Sequence, residues 1–248
     1  MICELVKKAK LKEHIYDFTI DCPEMAEQTK AGQFLHILCG GDAYLRRPIS
    51  ICDVTENRYL RFIFEVRGEG TKSLAERKVG DRLDVLGPLG NGFTVYPEDE
   101  DAILLIGGGI GVFPLLNLAK KLEGKATTIL GFRNKDAVMM DEEFAAVSRD
   151  LFLATDDGSC GFHGLVTDVL KNIIRSNKVS RIYTCGPTVM MKAVAEIAKE
   201  QQIPVQVSLE ERMGCGVGAC VTCTCTVNGG RKRVCKDGPV FDGAEVEF

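Results

Sequence analysis

Apolar positions change their period part-way along the chain. Before residue 90 they come in short, partly alternating runs at 15–20, 33–38, 49–52, 59–66 and 82–86, separated by Gly, Asp and Pro. Alternation sends successive side chains to opposite faces of a strand, so these runs predict an all-β domain. An open sheet of this size would leave unpaired edges, and a small closed barrel is the expected form. From residue 102 the texture becomes strand and helix in turn. Strands are expected at 102–106, 126–132, 151–154, 181–184 and 205–209, and helices near 112–122, 141–147, 165–174 and 188–200. That alternation predicts a parallel sheet covered on both faces.

The seam between the two textures is expected in the acidic stretch at 97–101. Beyond residue 210, Gly214, Gly216, Gly218, Gly229, Gly230, Gly238 and Gly243 leave too little side-chain volume for an ordinary core. This last piece is expected to fold around a bound ion or cluster. The expected division is therefore 1–99, 100–209 and 210–248.

Charge and cysteine content narrow the chemistry. With 31 basic and 35 acidic residues and a net charge of -4, the whole-protein field offers nucleic acid no attraction. The opening MICELVKKAK lacks the apolar run of a signal peptide, and the apolar stretch at 103–116 is broken by Gly107, Gly108, Gly109, Gly111 and Pro114. Neither export nor a membrane span is expected, and the cytoplasm is the expected location. Eleven cysteines, an odd count, fit a disulfide framework badly.

Five of those cysteines crowd between Cys215 and Cys235. Cys215, Cys220, Cys223 and Cys235 have the spacing C-x4-C-x2-C-x11-C, whose opening is the plant-type 2Fe-2S arrangement. Gly214, Gly216 and Gly218 suit a loop that brings backbone N–H groups to the sulfurs. A structural zinc site is the competing reading, but zinc sites use short paired spacings, and Cys235 has no such partner. Cys225 is left over and is expected to pack as a small hydrophobe.

Glycine-rich turns mark other candidate sites. IGGGIGVFP over 106–114 reads as strand, tight turn and helix start, with Gly107, Gly108, Gly109 and Gly111 suited to close approach of a pyrophosphate. It departs from the standard dinucleotide fingerprint, because Val112 stands where the last glycine belongs; a plain structural turn stays open. Cys185, Gly186 and Pro187 form a second strand-to-helix turn, expected on the same C-terminal sheet edge. In the first domain, Arg46, Arg47 and the extended segment Pro48, Ile49, Ser50 offer donors for a phosphate. Gly68, Gly70 and Thr71 lead from strand to helix, with Thr71 the expected N-cap. A flavin would reconcile two-electron hydride chemistry with a one-electron cluster.

These segments together resemble the ferredoxin-reductase superfamily, and specifically the electron-transfer subunits of NAD-dependent dihydroorotate dehydrogenases. The resemblance is carried by LRRPISI (45–51), GEGT (68–71), GPLGNGF (87–93), GGGIG (107–111), CGPTVMM (185–191), SLEERMGCGVGAC (208–220) and RVCKDGPVF (233–241). It implies a flavin-binding Greek-key barrel, a Rossmann-like nucleotide domain and a small C-terminal 2Fe-2S domain. It implies FAD on Arg47, Pro48, Ile49, Ser50, Gly68, Gly70 and Thr71, and NAD(H) as substrate beside Gly107, Gly108, Gly109, Gly111, Cys185, Gly186 and Pro187. Cys185 is placed near the nicotinamide, and Cys215, Cys220, Cys223 and Cys235 become the cluster ligands. Ile49 stands where the wider superfamily often has an aromatic residue against the flavin. The implied partner is an FMN-containing catalytic subunit that oxidises dihydroorotate in pyrimidine synthesis, in a heterotetramer of two subunits of each kind. A related reductase for sulfide, ferredoxin or another acceptor is the alternative within this class, and a zinc-stabilised nucleotide-binding regulator the alternative outside it.

Overall fold

The computed structural model describes residues 1–41, 44–96 and 101–248. The expected seam at 97–101 therefore lies, but for Asp101, outside the described residues. The chain divides into two compact units. One comprises Met1–Gly92, Glu210–Cys225 and Arg231–Pro239; the other comprises Phe93–Leu209, Thr226–Gly230 and Val240–Phe248.

The first unit contains a closed barrel. Its strands are β1 (Ile2–Lys12), β2 (Ile15–Asp21), β3 (Phe34–Leu38), β4 (Arg47–Thr55), β5 (Tyr59–Glu65) and β6 (Arg82–Leu89), in the order β1-β2-β5-β4-β3-β6. Closure comes from β1 pairing antiparallel with β6, Cys3 opposite Leu83, and it leaves no free edge. Two short helices interrupt the strands, α1 (Pro23–Ala26) and α2 (Glu69–Ala75). Inward positions of β2 and β5 fill the barrel with Phe18, Phe62 and Phe64, whose rings meet at 5.1 Å edge-on and 5.7 Å tilted.

Strand β1 was not among the expected strands. Only Cys3 and Leu5 of its eleven residues are buried, while Lys7, Lys8, Lys10 and Lys12 line the rest. Its place is set by pairing with β2 and β6, which a local hydrophobic pattern does not display.

The second unit is built on a seven-stranded sheet. After β7 (Ala102–Gly108) come α3 (Phe113–Lys121), β8 (Ala126–Phe132), α4 (Asp141–Val147), β9 (Asp150–Thr155), β10 (Phe162–His163), α5 (Val166–Ser176), β11 (Val179–Cys185), α6 (Thr188–Glu200) and β12 (Val205–Ser208). All seven residues of β7 are buried, as a central strand covered on both faces requires. Helix α5 buries Val166, Val169 and Leu170, one face at helical spacing.

The C-terminal stretch adds β13 (Thr224–Val227), β14 (Gly230–Arg233) and β15 (Val240–Asp242). The sheet order is β10-β9-β8-β7-β11-β12-β15. Six strands are parallel, but β15 lies antiparallel to β12, with Val207 opposite Phe241. The expected parallel sheet is present and carries one antiparallel edge strand. Parts of the segment from Glu210 group with each of the two units. A glycine-rich stretch with few apolar residues has no core to gather around, so its strands and loops join cores that already exist.

Candidate functional site

In the first unit, Arg46 and Arg47 part company. The Arg46 guanidinium donates to Asp84 Oδ2 at 2.7 Å and to the Asp84 carbonyl at 2.8 Å, a structural tie to β6. Arg47 forms no ion pair among the described residues, and its guanidinium lies flush on Gly70, where a Cβ would come within 2.9 Å of Nε. Two segments more than twenty residues apart in sequence thus meet, one bringing a planar cation and the other bare backbone. A Cβ on the neighbouring Gly68 would meet nothing within 4 Å, so open space adjoins them. A cation facing a side-chain-free turn fits a phosphate group.

Thr71 is not the N-cap expected of it. Gly68 occupies that position, and Thr71, three residues on, reaches back to accept from the N–H groups of Arg67 at 2.9 Å and Gly68 at 3.3 Å. Its hydroxyl is engaged in holding the turn. Pro48, Ile49 and Ser50 lie on β4 opposite His36, Leu35 and Phe34 of β3, and all three are half-buried.

In the second unit, the two glycine turns close on each other. Strands β7 and β11 are adjacent and parallel, with Cys185 opposite Gly107, so both turns leave the C-terminal edge of the sheet. The chain runs outward from β7 through β8 and β9, then returns to β11 on the other side, which makes this edge the topological switch point. A Cβ on Gly111 would run into the Gly186 backbone and the Cys185 carbonyl, and one on Gly108 would come within 3.0 Å of Pro187. Gly109 has φ +54 and nothing within 4 Å of its Cβ position. The first two glycines are needed for packing, and Gly109 leaves the approach open to a ligand. Pro114 sits in the first turn of α3, where a missing N–H costs nothing. The loop at 156–164 holds itself together, Asp157 accepting from the Ser159 N–H and hydroxyl, and His163 is exposed.

The cysteine loop belongs to the first unit and supplies the most organised chemistry. The Cys215 sulfur faces the N–H groups of Val217, Ala219 and Cys220 at 3.4, 3.2 and 3.4 Å. Gly218 N–H points at Cys235 Sγ at 3.1 Å, Cys235 N–H at Cys223 Sγ at 3.4 Å, and the Thr222 hydroxyl at Cys220 Sγ at 3.2 Å. Every one of the four sulfurs therefore has a donor aimed at it, as thiolates require. The Thr222 hydroxyl holds Cys220 down at about 6, and N–H donors, that of Cys220 first, also lower Cys215. Burial instead pushes Cys235 up to about 12.

The sulfurs fall into two pairs. Cys215 and Cys220 lie within hydrogen-bond reach of each other, and so do Cys223 and Cys235. Among the described residues no three His, Cys, Asp or Glu side chains converge as ligands of a single ion. A tetrahedral zinc needs four donors on one centre, whereas a two-iron cluster takes two thiolates at each iron; the pairs fit the cluster. Gly216 and Gly218 have φ +72 and +83, and Val221, between the ligands, is held at φ +53, which is unusual for a β-branched residue. Cys225 donates to and accepts from none of these sulfurs and is half-buried, where burial raises its pKa.

One residue of this site escaped the sequence reading. His36 on β3 is fully buried, and its ring packs against Gly216. Its only signal in the sequence is a polar residue inside an apolar strand.

A flavin-reductase barrel, a nucleotide-type sheet and a paired thiolate loop define an NAD-linked oxidoreductase subunit with an iron–sulfur centre. Comparison with known proteins agrees. Residues 210–247 match the model of the iron-sulfur cluster binding domain of dihydroorotate dehydrogenase B, and residues 105–196 match the oxidoreductase NAD-binding domain. The chain is 45% identical over 246 residues to the dihydroorotate dehydrogenase B (NAD(+)) electron transfer subunit of Geobacillus kaustophilus, covering 95% of this chain and 94% of the relative. It is 40% identical over 241 residues to that of Desulforamulus reducens, covering 93% and 92%. The chain belongs to the family of dihydroorotate dehydrogenase B electron transfer subunits. Among solved structures it resembles an NADH-dependent reduced ferredoxin-NADP oxidoreductase studied for flavin-based electron bifurcation, with TM-score 0.89, 37% identity and coverage of 100% and 90%. A ferredoxin reductase of carbazole 1,9a-dioxygenase, at 20% identity and TM-score 0.70 over 84% of this chain and 68% of that one, shares the fold.

Proposed function

We propose that this chain relays electrons between NAD(H) and the FMN of a separate catalytic subunit that oxidises dihydroorotate to orotate in de novo UMP synthesis. The relay would use FAD held by the barrel and a 2Fe-2S cluster held by Cys215, Cys220, Cys223 and Cys235. When bound, FAD exchanges hydride with the nicotinamide and the cluster carries electrons singly, which joins a two-electron carrier to one-electron steps.

The observation that carries this reading is the pairing of the four sulfurs, each with a hydrogen-bond donor aimed at it. Those donors offset the negative charge of the thiolates. Arg47 would hold a flavin phosphate over the bare backbone of Gly68 and Gly70, with the half-buried Pro48, Ile49 and Ser50 strand alongside. Gly107, Gly108, Gly109 and Gly111, with Gly186 and Pro187, would admit the nucleotide pyrophosphate at the switch point, and Cys185 would lie near the nicotinamide. The chemistry on dihydroorotate is assigned to the partner, as the relatives' name, electron transfer subunit, supports.

The assembly is read as a heterotetramer of two catalytic and two electron-transfer subunits in the cytoplasm, whose reducing conditions keep eleven free thiols available. Native purification tests all of this. The expected preparation contains iron, acid-labile sulfide and FAD, bleaches on addition of NADH, and brings down an FMN-containing protein with dihydroorotate-oxidising activity. A colourless, zinc-bearing protein would reject the reading. A coloured preparation whose partner lacks that activity would shift it to a reductase for sulfide, ferredoxin or another acceptor.

A further inference from the structure

The cluster loop leans on one residue that none of the motifs contains. His36 is 0% exposed, on a strand where Phe34, Leu35 and Ile37 are buried as well. Its backbone is fixed by pairing on both sides, opposite Pro48 of β4 and Leu86 of β6. Its ring nitrogens, Nδ1 and Nε2, are both buried and neither makes a well-formed hydrogen bond. Backbone groups of Arg46 and of the cluster-loop residue Cys215 lie beside the ring. A Cβ on Gly216 would overlap Nδ1 and come within 3.1 Å of Cε1, so the ring and this stretch of loop are in contact.

A buried imidazole with no partner costs stability that a leucine in the same space would not. A neutral ring carries one N–H donor, and the acceptor within reach on the loop side is the Cys215 backbone. The carbonyl there begins the turn in which the N–H groups of Val217, Ala219 and Cys220 meet the Cys215 sulfur. Given the reading of the loop as an iron–sulfur site, we propose that His36 is a positioning residue for the centre. Its ring N–H engages the Cys215 carbonyl and holds the loop so that the following N–H groups stay on the sulfur. A barrel strand paired on both sides thereby sets ligand geometry on the glycine-rich loop, and the N–H dipole favours the extra negative charge of the reduced centre.

The test uses the holoprotein and two substitutions, His36→Leu, which fills the space without a donor, and His36→Gln, which keeps an N–H. Iron and acid-labile sulfide are assayed first, and the reduction potential and g-values of the centre are then followed by electron paramagnetic resonance during redox titration. His36→Leu is expected to shift the reduction equilibrium about tenfold toward the oxidised form, 59 mV for a one-electron couple. His36→Gln is expected to stay within about threefold of wild type. Loss of iron from the Leu variant alone, with the Gln variant loaded and near the wild-type potential, would support the same role. Two loaded variants with unchanged potential and g-values would overturn it, and so would equal shifts or equal iron loss in both, since packing alone would then explain the residue. A wild type without iron would instead sink the reading of the loop, and the proposal with it.

Discussion

Cys220 and Cys225 are five residues apart, both within the crowded cysteine segment, yet their surroundings assign them differently. Cys220 is exposed and accepts from the Thr222 hydroxyl, while Cys225 is half-buried near the charges of Glu211 and Asp237, with no donor from the cluster loop. Replacing any one of Cys215, Cys220, Cys223 or Cys235 by Ser is expected to weaken iron retention against a chelator more than about tenfold. Cys225→Ser is expected to keep wild-type iron, and colorimetric iron and sulfide assays of the five variants check both halves. Spacing alone singled out these four cysteines, because the loop is local and its geometry is written in consecutive residues. Arg46 and Arg47 looked alike in the sequence, and only the fold brings Asp84 to one guanidinium and Gly70 to the other. His36 was not legible at all, since a lone histidine in an apolar strand looks the same whether or not a loop packs on it.

Among the elements, the barrel strands are pinned partly by charge. Asp21 at the end of β2 accepts from Arg58 at 2.9 Å, just before β5, and this hydrogen bond holds its carboxyl below the ordinary value of 3.8. A carboxylate depressed in the folded state stabilises fully above that ordinary value, and the contribution is lost as pH falls through the lower folded value. Both groups face solvent, so screening keeps the effect small. Asp21→Asn is expected to melt slightly lower than wild type at about pH 6 and to coincide with it at about pH 2, as thermal circular dichroism at the two pH values will read. The long helices and central strands of the second unit were legible because their periodicity is sustained over many residues. Strand β1 was hidden by its lysines, and β15, three residues long, carries no period.

At the scale of the whole molecule, the last forty residues match an iron–sulfur binding domain and also complete the sheet of the second unit. After the cluster loop the chain returns to the sheet, where β15 covers β12 and Gly243 packs against Val205 and Val207. Phe241, Val246 and Phe248 lie against the core of that unit. Deleting residues 240–248 is expected to destabilise the nucleotide unit by about 2–5 kcal/mol, from lost apolar burial and a newly exposed edge strand. Urea unfolding followed by far-ultraviolet circular dichroism, together with NADH-dependent bleaching, measures this; a truncated chain with unchanged unfolding would show β15 to be dispensable. Among the described residues no helix is long and apolar enough to cross a membrane.

By itself the sequence determined the two kinds of layer, the glycine turns and the spaced cysteine loop, because each depends on residues close together along the chain: a period, a missing Cβ, a spacing. Only the tertiary structure decided which arginine is tied to Asp84, that the sheet ends on an antiparallel strand and that His36 packs on the cluster loop. Those outcomes are set by contacts between residues tens to hundreds of positions apart, and the free energy of such contacts is not encoded in any local pattern.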